Sequence, residues 1–334
     1  MKSKETLSRE SNIELARIVA MFMVLVLHAL NHYFYTNNTY YWTLPSIVDN
    51  VGVSFTSCAN GLFVFISGWF GIKPRMKSLL NIFFQVVFYG LMCFLLGFFI
   101  TGSFTDDGWK DIFLLSPDSL WFIRSYILLF IISPLLNHYV EHVEEKKIRI
   151  ILILLFFFQS IWGWTNAAQE YNYGFSVLFF IFIYLLARYL KKYPNPYIKG
   201  KSMKFLLIYV CSALLIVISL YIKHFSRIPI TEKMLLSTVN PLTIICSISL
   251  FFFFNNIRLL SKTVNWVSAS VLSVYLIHEN SVIAPYYRNL VWGEFLERKY
   301  LFLFFSIVLF FCICVLVDQI RQLLFKHTIG RIIS

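Results

Sequence analysis

Residues 11–29 read SNIELARIVAMFMVLVLHA, and the absence of Asp, Glu, Lys and Arg continues from Ile18 to Val48. Crossing about 30 Å of hydrocarbon takes roughly 20 apolar residues, so this stretch is long enough to span a bilayer as a helix. Ionisable side chains interrupt its apolar character. Arg17 and His28 are eleven residues apart; at about 100° per residue that is roughly three turns plus 20°, which puts both on one face about 16 Å apart along the axis. Glu14 joins that face one turn below Arg17. An ionisable group within a span costs roughly 2.5–3.5 kcal/mol on insertion scales, so it faces the bundle interior and marks a candidate functional path.

The same pattern repeats along the chain. Charge-free stretches cover Asn50–Ile72, Ser78–Thr105, Ile150–Gln169, Phe205–Ile222, Met234–Ile257 and Tyr300–Val317, with shorter ones at Ser125–Val140, Tyr171–Ala187 and Thr263–His278. The spans expected are 13–35, 50–72, 79–101, 119–137, 149–164, 174–190, 205–223, 238–256, 266–287 and 300–320. Apolar residues make up 58% of the chain and charged ones 14%, against about 25% charged in a soluble domain. Backbone groups in lipid must be satisfied internally, and no short alternating strands suggest a barrel. The fold class is therefore all-α: a polytopic membrane helical bundle of about ten transmembrane helices.

The net charge of +12 invites a nucleic-acid partner, but its placement excludes one. With the N-terminus inside, twenty of the 29 Lys and Arg residues fall in inner segments and seven in outer loops, which is the positive-inside bias. Both termini are expected in the cytoplasm. Trp42, Trp109, Trp121, Trp162, Trp164 and Trp292 fall near outer span ends, as an aromatic belt would. The connections are too short for a soluble domain, so residues 1–334 form one transmembrane domain. Nothing resembles a cleavable signal peptide. The six cysteines lie inside apolar runs and are expected as small buried hydrophobes, with Cys312 and Cys314 on different sides of a helix.

Polarity inside the spans supplies the chemistry. His278 and Glu279 lie in VLSVYLIHEN (271–280), about 18 Å into the ninth span, a depth comparable to that of His28. A neutral imidazole beside a carboxylate suits a general base. Ser67 closes the second span, ahead of the basic turn Lys73-Pro-Arg75-Met-Lys77-Ser78, which is compatible with a phosphate-bearing cytoplasmic ligand. Arg124 sits at the outer end of the fourth span. His138 and His142 have metal-site spacing but the composition of a solvated helix, and no metal site is expected. No phosphate-binding glycine loop or nucleophile elbow occurs.

These residues resemble acyltransferase family 3. Arg17 and His28 match its arginine–ten residues–histidine pattern. NGLFVFISGWF (60–70) looks like its second-helix segment, and RMKS (75–78) resembles the turn that follows, although Pro74 stands where an aromatic is usual. LWFIRSYILLFIISPLLN (120–137) and VLSVYLIHEN are similar to its later segments. The resemblance implies a ten-helix bundle that moves an acyl group, commonly acetyl from acetyl-CoA as co-substrate with no bound cofactor, onto a sugar. His28, His278 and Glu279 become catalytic candidates; Arg17, Arg75 and Ser78 become acyl-donor candidates; Ser67 and Arg124 become acceptor or cavity candidates. An appended soluble esterase-type domain, carried by some members, is not expected, which favours a polysaccharide or lipid-linked oligosaccharide acceptor in a bacterial-type plasma membrane. The partners expected are acyl-CoA, that acceptor, membrane lipid and, as an option, a second copy of the chain.

Two other readings compete: a transporter or flippase of a lipid-linked sugar, and a non-catalytic scaffold. Transporters carry inverted repeats and broken helices near the midplane. The sequence shows no repeat, and with Gly and Pro sparse inside the spans, continuous helices are expected. A scaffold has no need of Arg17, His28, His278 and Glu279 in lipid.

Overall fold

A computed structural model describes residues 10–36, 44–104, 108–116, 119–165, 167–168, 170–226, 230–297 and 299–325. Among them every element is helical: α1 (Ser11–Thr36), α2 (Leu44–Thr56), α3 (Ala59–Phe70), α4 (Met76–Thr101), α5 (Gly108–Ile112), α6 (Trp121–His142), α7 (Glu145–Phe158), α8 (Val177–Lys192), α9 (Ser202–Phe225), α10 (Glu232–Leu235), α11 (Pro241–Asn255), α12 (Lys262–Ser268), α13 (Val271–His278), α14 (Ala284–Leu296) and α15 (Tyr300–Phe325). Among the described residues, six segments are long and apolar enough to cross a membrane: Ser11–Leu30, Ile47–Phe70, Met76–Thr101, Trp121–His142, Ser202–Lys223 and Tyr300–Phe325. The protein is an all-α polytopic membrane bundle. The chain termini and Trp42 lie outside the described residues.

The bundle is organised around α1, which packs against α2, α3, α11, α12, α13, α14 and α15. Its fully buried Ala16 and Ala20, four residues apart, form the small-xxx-small pattern that lets helices approach closely in lipid. Gly68 does the same for α3: a Cβ there would lie 2.7 Å from the Tyr184 carbonyl oxygen and 2.8 Å from the Ala187 Cβ of α8. The outer layer is lipid-facing. On α15, Phe302, Phe305, Leu309, Leu316 and Ile320 are exposed while Leu303, Ile307, Phe311 and Cys314 are buried. Cys312 and Cys314 do face opposite ways, but Cys312 and Cys211 are exposed, which corrects the expectation of six buried thiols. Both sit on peripheral helices, where an apolar residue has lipid as its neighbour.

The expectation of unbroken spans is corrected. The second span breaks at Ser57–Cys58 and the ninth at Ala269–Ser270, and α7 runs into a π-helical turn at Gln159–Gly163. No Pro or Gly makes either break. Hydroxyls compete for helix carbonyls instead: Thr56 Oγ1 donates to the Gly52 carbonyl at 2.7 Å, and Ser273 Oγ to the Ser270 carbonyl at 2.6 Å. Neighbouring helices satisfy the exposed backbone, as lipid requires. Tyr209 donates to the Phe55 carbonyl, Ser247 to the Cys58 carbonyl and Gln319 to the Trp266 carbonyl. The ninth span also ends earlier than 287: α13 stops at His278, and the chain turns into α14.

Candidate active site

Arg17, Met21, Val24 and His28 form one stripe along α1, spaced four, three and four residues as a helical face requires. The first three line a cavity of about 250 Å³. Its other walls are Asn60, Phe63 and Ser67 from α3, Phe122, Ile123 and Tyr126 from α6, and Ser268, Ala269, Val271, Leu272 and Tyr275 around the break between α12 and α13. The break thus serves the site, because it lets Ser268 and Ala269 form part of the wall. Ser67 Oγ and the Tyr126 hydroxyl meet at 3.3 Å.

Arg17 anchors one end. Its Nη1 donates to Glu14 Oε1 at 2.7 Å, and the other oxygen of Glu14 accepts from Ser268 Oγ at 2.5 Å. The carboxylate fixes the guanidinium against the broken span, while the Arg17 side chain keeps 36% exposure.

At the other end of the stripe, one turn beyond Val24, His28 meets His278 and Glu279. His28 Nδ1 lies 2.9 Å from His278 Nε2 and 2.9 Å from Glu279 Oε1. The ring centroids are 5.1 Å apart with the planes inclined by 28°, so the rings meet edge to edge through these two nitrogens. His278 Nδ1 lies 3.1 Å from the Val274 carbonyl. A carbonyl only accepts, so that nitrogen carries the proton and His278 Nε2 carries a lone pair. His28 Nδ1 then faces two acceptors, so it carries a proton as well. The lone pair of His28 is left on Nε2. Glu279 holds the imidazole in that tautomer, the task a carboxylate performs beside a catalytic histidine. Arg288 of α14 approaches the same Oε1 at 3.4 Å, and the Tyr287 hydroxyl ties α14 to α1 through the Leu25 carbonyl at 2.9 Å.

The turn after α13 is pinned from outside. Asp111 of α5 is fully buried. One oxygen accepts from Ser119 Oγ and the other from the Ser281 backbone N–H at 2.6 Å. The α5 segment can reach this depth because α4 offers Gly90, where a Cβ would stand 2.8 Å from the Ile112 Cα.

The structure therefore joins His28, His278 and Glu279, and places Arg17 and Ser67 on the cavity wall. It does not bring Arg75, Ser78 or Arg124 to that wall. Arg75 and Ser78 are exposed at the start of α4, and Arg124 donates to the Ser116 and Ser119 carbonyls, clipping the segment that precedes α6. His138 and His142 stack on the exposed end of α6. Sequence reasoning passed over Asn60, Tyr126, Tyr275 and Asp111. The first three are polar groups inside apolar runs and carry the same signal as His28. Asp111 falls between the expected spans 79–101 and 119–137, outside any apolar run, and carries none.

The family model described as an acyltransferase domain matches residues 10–318. The chain belongs to acyltransferase family 3. No curated protein and no solved structure matches it. The match runs from the residue before α1 to Asp318 in α15, so it contains every residue of the cavity and of the histidine cluster. The protein is an acyltransferase, and the transporter and scaffold readings fall away. For such an enzyme the arrangement offers a fixed cation at one end of a mostly apolar cavity, and an oriented imidazole with a bare nitrogen one helical turn past the other end.

Proposed function

We propose that the chain transfers an acyl group, most simply acetyl, from cytoplasmic acyl-CoA to a hydroxyl of a cell-surface or lipid-linked polysaccharide. The enzyme works in a bacterial-type plasma membrane, crossed about ten times with both termini inside. The observation that carries this is the stripe on α1, with Arg17 at one end of a narrow cavity and the His28–Glu279 pair beyond the other. At about 250 Å³ the cavity is smaller than the roughly 300–1,000 Å³ of sites that enclose a drug-sized ligand. It suits an extended acyl-bearing arm rather than a nucleotide. Arg17 binds phosphate at the cytoplasmic mouth, and Arg75 and Ser78, exposed on that side, are assigned to the nucleotide end. Phe63, Phe122 and Leu272 exclude water from the arm. Ser67, with Tyr126, is assigned to the cavity end of the donor, and Arg124 holds the outer loop through which the acceptor approaches.

The transfer step is direct. His28 Nε2 takes the proton of the acceptor hydroxyl as its oxygen attacks the thioester carbonyl. The C–S bond breaks, an ester forms, and the leaving thiolate takes up the proton from His28. Glu279 stabilises the transient imidazolium through Nδ1–H, and His278 buttresses the ring.

The test is His28→Gln in the host membrane, read by mass spectrometry of the surface polysaccharide and by the level of inserted protein. An amide fills the space and makes hydrogen bonds but shuttles no proton. The acyl mark should vanish while insertion stays normal. Near-normal acylation in this variant removes the base assignment.

A further inference from the structure

His28 and the two groups that hold it have a second property. His28 Nδ1, His278 Nε2 and Glu279 Oε1 form a triangle with edges of 2.9, 2.9 and 3.6 Å. All three atoms point inward at one another, yet a single proton, on His28 Nδ1, serves two acceptors. A point about 2.0–2.1 Å from all three atoms, the Zn–N and Zn–O bond length, lies within about 1 Å of their plane. Three protein ligands leave the fourth position of a tetrahedral ion to water. Two imidazoles and one carboxylate are a donor set that zinc accepts. The supporting bonds also match: His278 gives its other N–H to the Val274 carbonyl at 3.1 Å, the outer-shell contact that fixes the tautomer of a metal-ligating histidine. The ligands are already desolvated. The His278 side chain is fully buried and that of Glu279 is 7% exposed, while His28 keeps 21% exposure as a way in. His28 and His278 are 250 residues apart, so no local ligand spacing announces the triangle.

We propose that the His28–His278–Glu279 triangle binds one late first-row divalent cation, of the Zn²⁺ or Co²⁺ class, and that its occupation switches the acyltransferase off. Binding needs the lone pair of His28 Nδ1. The ring proton must then move to Nε2, which is the atom assigned above as the base. Cation and catalysis therefore exclude one another. The blocking half rests on that assignment, whereas the binding half rests on geometry alone. Arg288 competes for Glu279 at 3.4 Å with a side chain that is 43% exposed, so its positive charge opposes the cation.

The experiment uses the full chain purified in detergent, stripped with chelator and titrated with Co²⁺ and then Zn²⁺. The background is the double variant His138→Ala/His142→Ala, which removes the exposed histidine pair on α6. Bound Co²⁺ is read by its visible d–d absorption, and Zn²⁺ by elemental analysis. One cation per chain is expected in the background variant. Affinity should fall at least tenfold in His278→Ala and in Glu279→Gln, and rise in Arg288→Ala. Two ligand variants are used so that a folding failure in one, seen by size-exclusion profile, leaves the other to decide. Absence of a stoichiometric cation in the background variant, or equal affinity in the well-folded ligand variants, overturns the site. Acyl transfer measured on the same preparation should be lost with Zn²⁺ and restored by chelator. A bound cation that leaves transfer unchanged, or that transfer requires, overturns the switch while the site stands. Loss of transfer in His28→Gln without metal tests the base assignment separately.

Discussion

Two of the clusters of ionisable side chains among the described residues, at His28 and at Asp318, are finished differently. At the C-terminal end of α15, Asp318 accepts from the Tyr89 hydroxyl at 2.5 Å, from Arg321 Nε at 2.8 Å and from Gln322 Nε2 at 2.6 Å. Both carboxylate oxygens are occupied, Asp318 is fully buried, and none of the four residues lines the cavity. At the other cluster, His28 Nδ1 offers one proton to two acceptors, Arg288 reaches Glu279 only at 3.4 Å, and the lone pair of His28 Nε2 is uncommitted to either neighbour. The comparison shows that polarity inside lipid marks a site only when bonding capacity is left over. The Asp318 cluster neutralises its own charges and holds α4 to α15. The His28 cluster leaves one ring nitrogen, Nε2, outside its own bonds.

The largest expected effect separates the two. His28→Gln should lower acyl transfer by about 10²–10⁴-fold, the usual contribution of a positioned general base, with unchanged thermal unfolding in detergent. Asp318→Ala should do the reverse. It strands the Arg321 guanidinium in a buried position, which costs about 3–5 kcal/mol. Thermal unfolding should show that loss, while transfer per folded molecule stays the same. If Asp318→Ala abolishes transfer in protein that remains folded, the contrast between a structural and a reactive cluster is wrong.

How much of this was readable in advance depends on whether the signal was local. The Arg17–His28 stripe was legible because one helix fixes both by its period. His278 and Glu279 were legible one at a time, because their cost in lipid does not depend on the fold. Their meeting with His28 was not, since it needs α13 beside α1 across 250 residues. The broken spans were hidden for a related reason. Ser57 and Ser270 look harmless in sequence, and the groups that stabilise the breaks, Tyr209, Ser247 and Gln319, come from distant helices. Asp111 lies between two expected spans, and only the packing of α5 against Gly90 of α4 shows it buried. Charge counting did well on fold class because it sums over the whole chain, and poorly at residues 318–321, where a span extended beyond its apolar stretch.

A smaller effect sharpens the other end of the stripe. If Arg17 binds donor phosphate as proposed, Arg17→Ala removes a charge-assisted contact worth about 1.5–3 kcal/mol. The KM for acyl-CoA should rise by roughly ten- to a hundredfold, with kcat changed far less. Arg75→Ala, exposed and away from the cavity wall, should raise it less. Equal effects would place the donor phosphates on the turn before α4 rather than at the cavity mouth.

The smallest effect tests whether the reactive cluster is held from outside. Asp111 touches neither histidine. It accepts the Ser281 backbone N–H at 2.6 Å, two residues after Glu279, and so limits where the Glu279 carboxylate can sit. Removing one such hydrogen bond costs about 0.5–1.5 kcal/mol. If that cost appears as misorientation of Glu279, kcat for Asp111→Ala should fall by roughly two- to tenfold, with the KM for acyl-CoA unchanged, because Arg17 is at the opposite end of the cavity. Asp111→Asn should restore most of it: the amide oxygen still accepts from Ser281, and the amide N–H₂ can donate to Ser119 Oγ. In a Glu279→Gln background the Asp111→Ala loss should shrink, because the carboxylate it positions is gone. An unchanged loss in that background, or a loss confined to thermal stability, would make Asp111 a brace for the outer loop alone. It would then belong with Asp318, as a buried carboxylate whose bonds are all spent on structure.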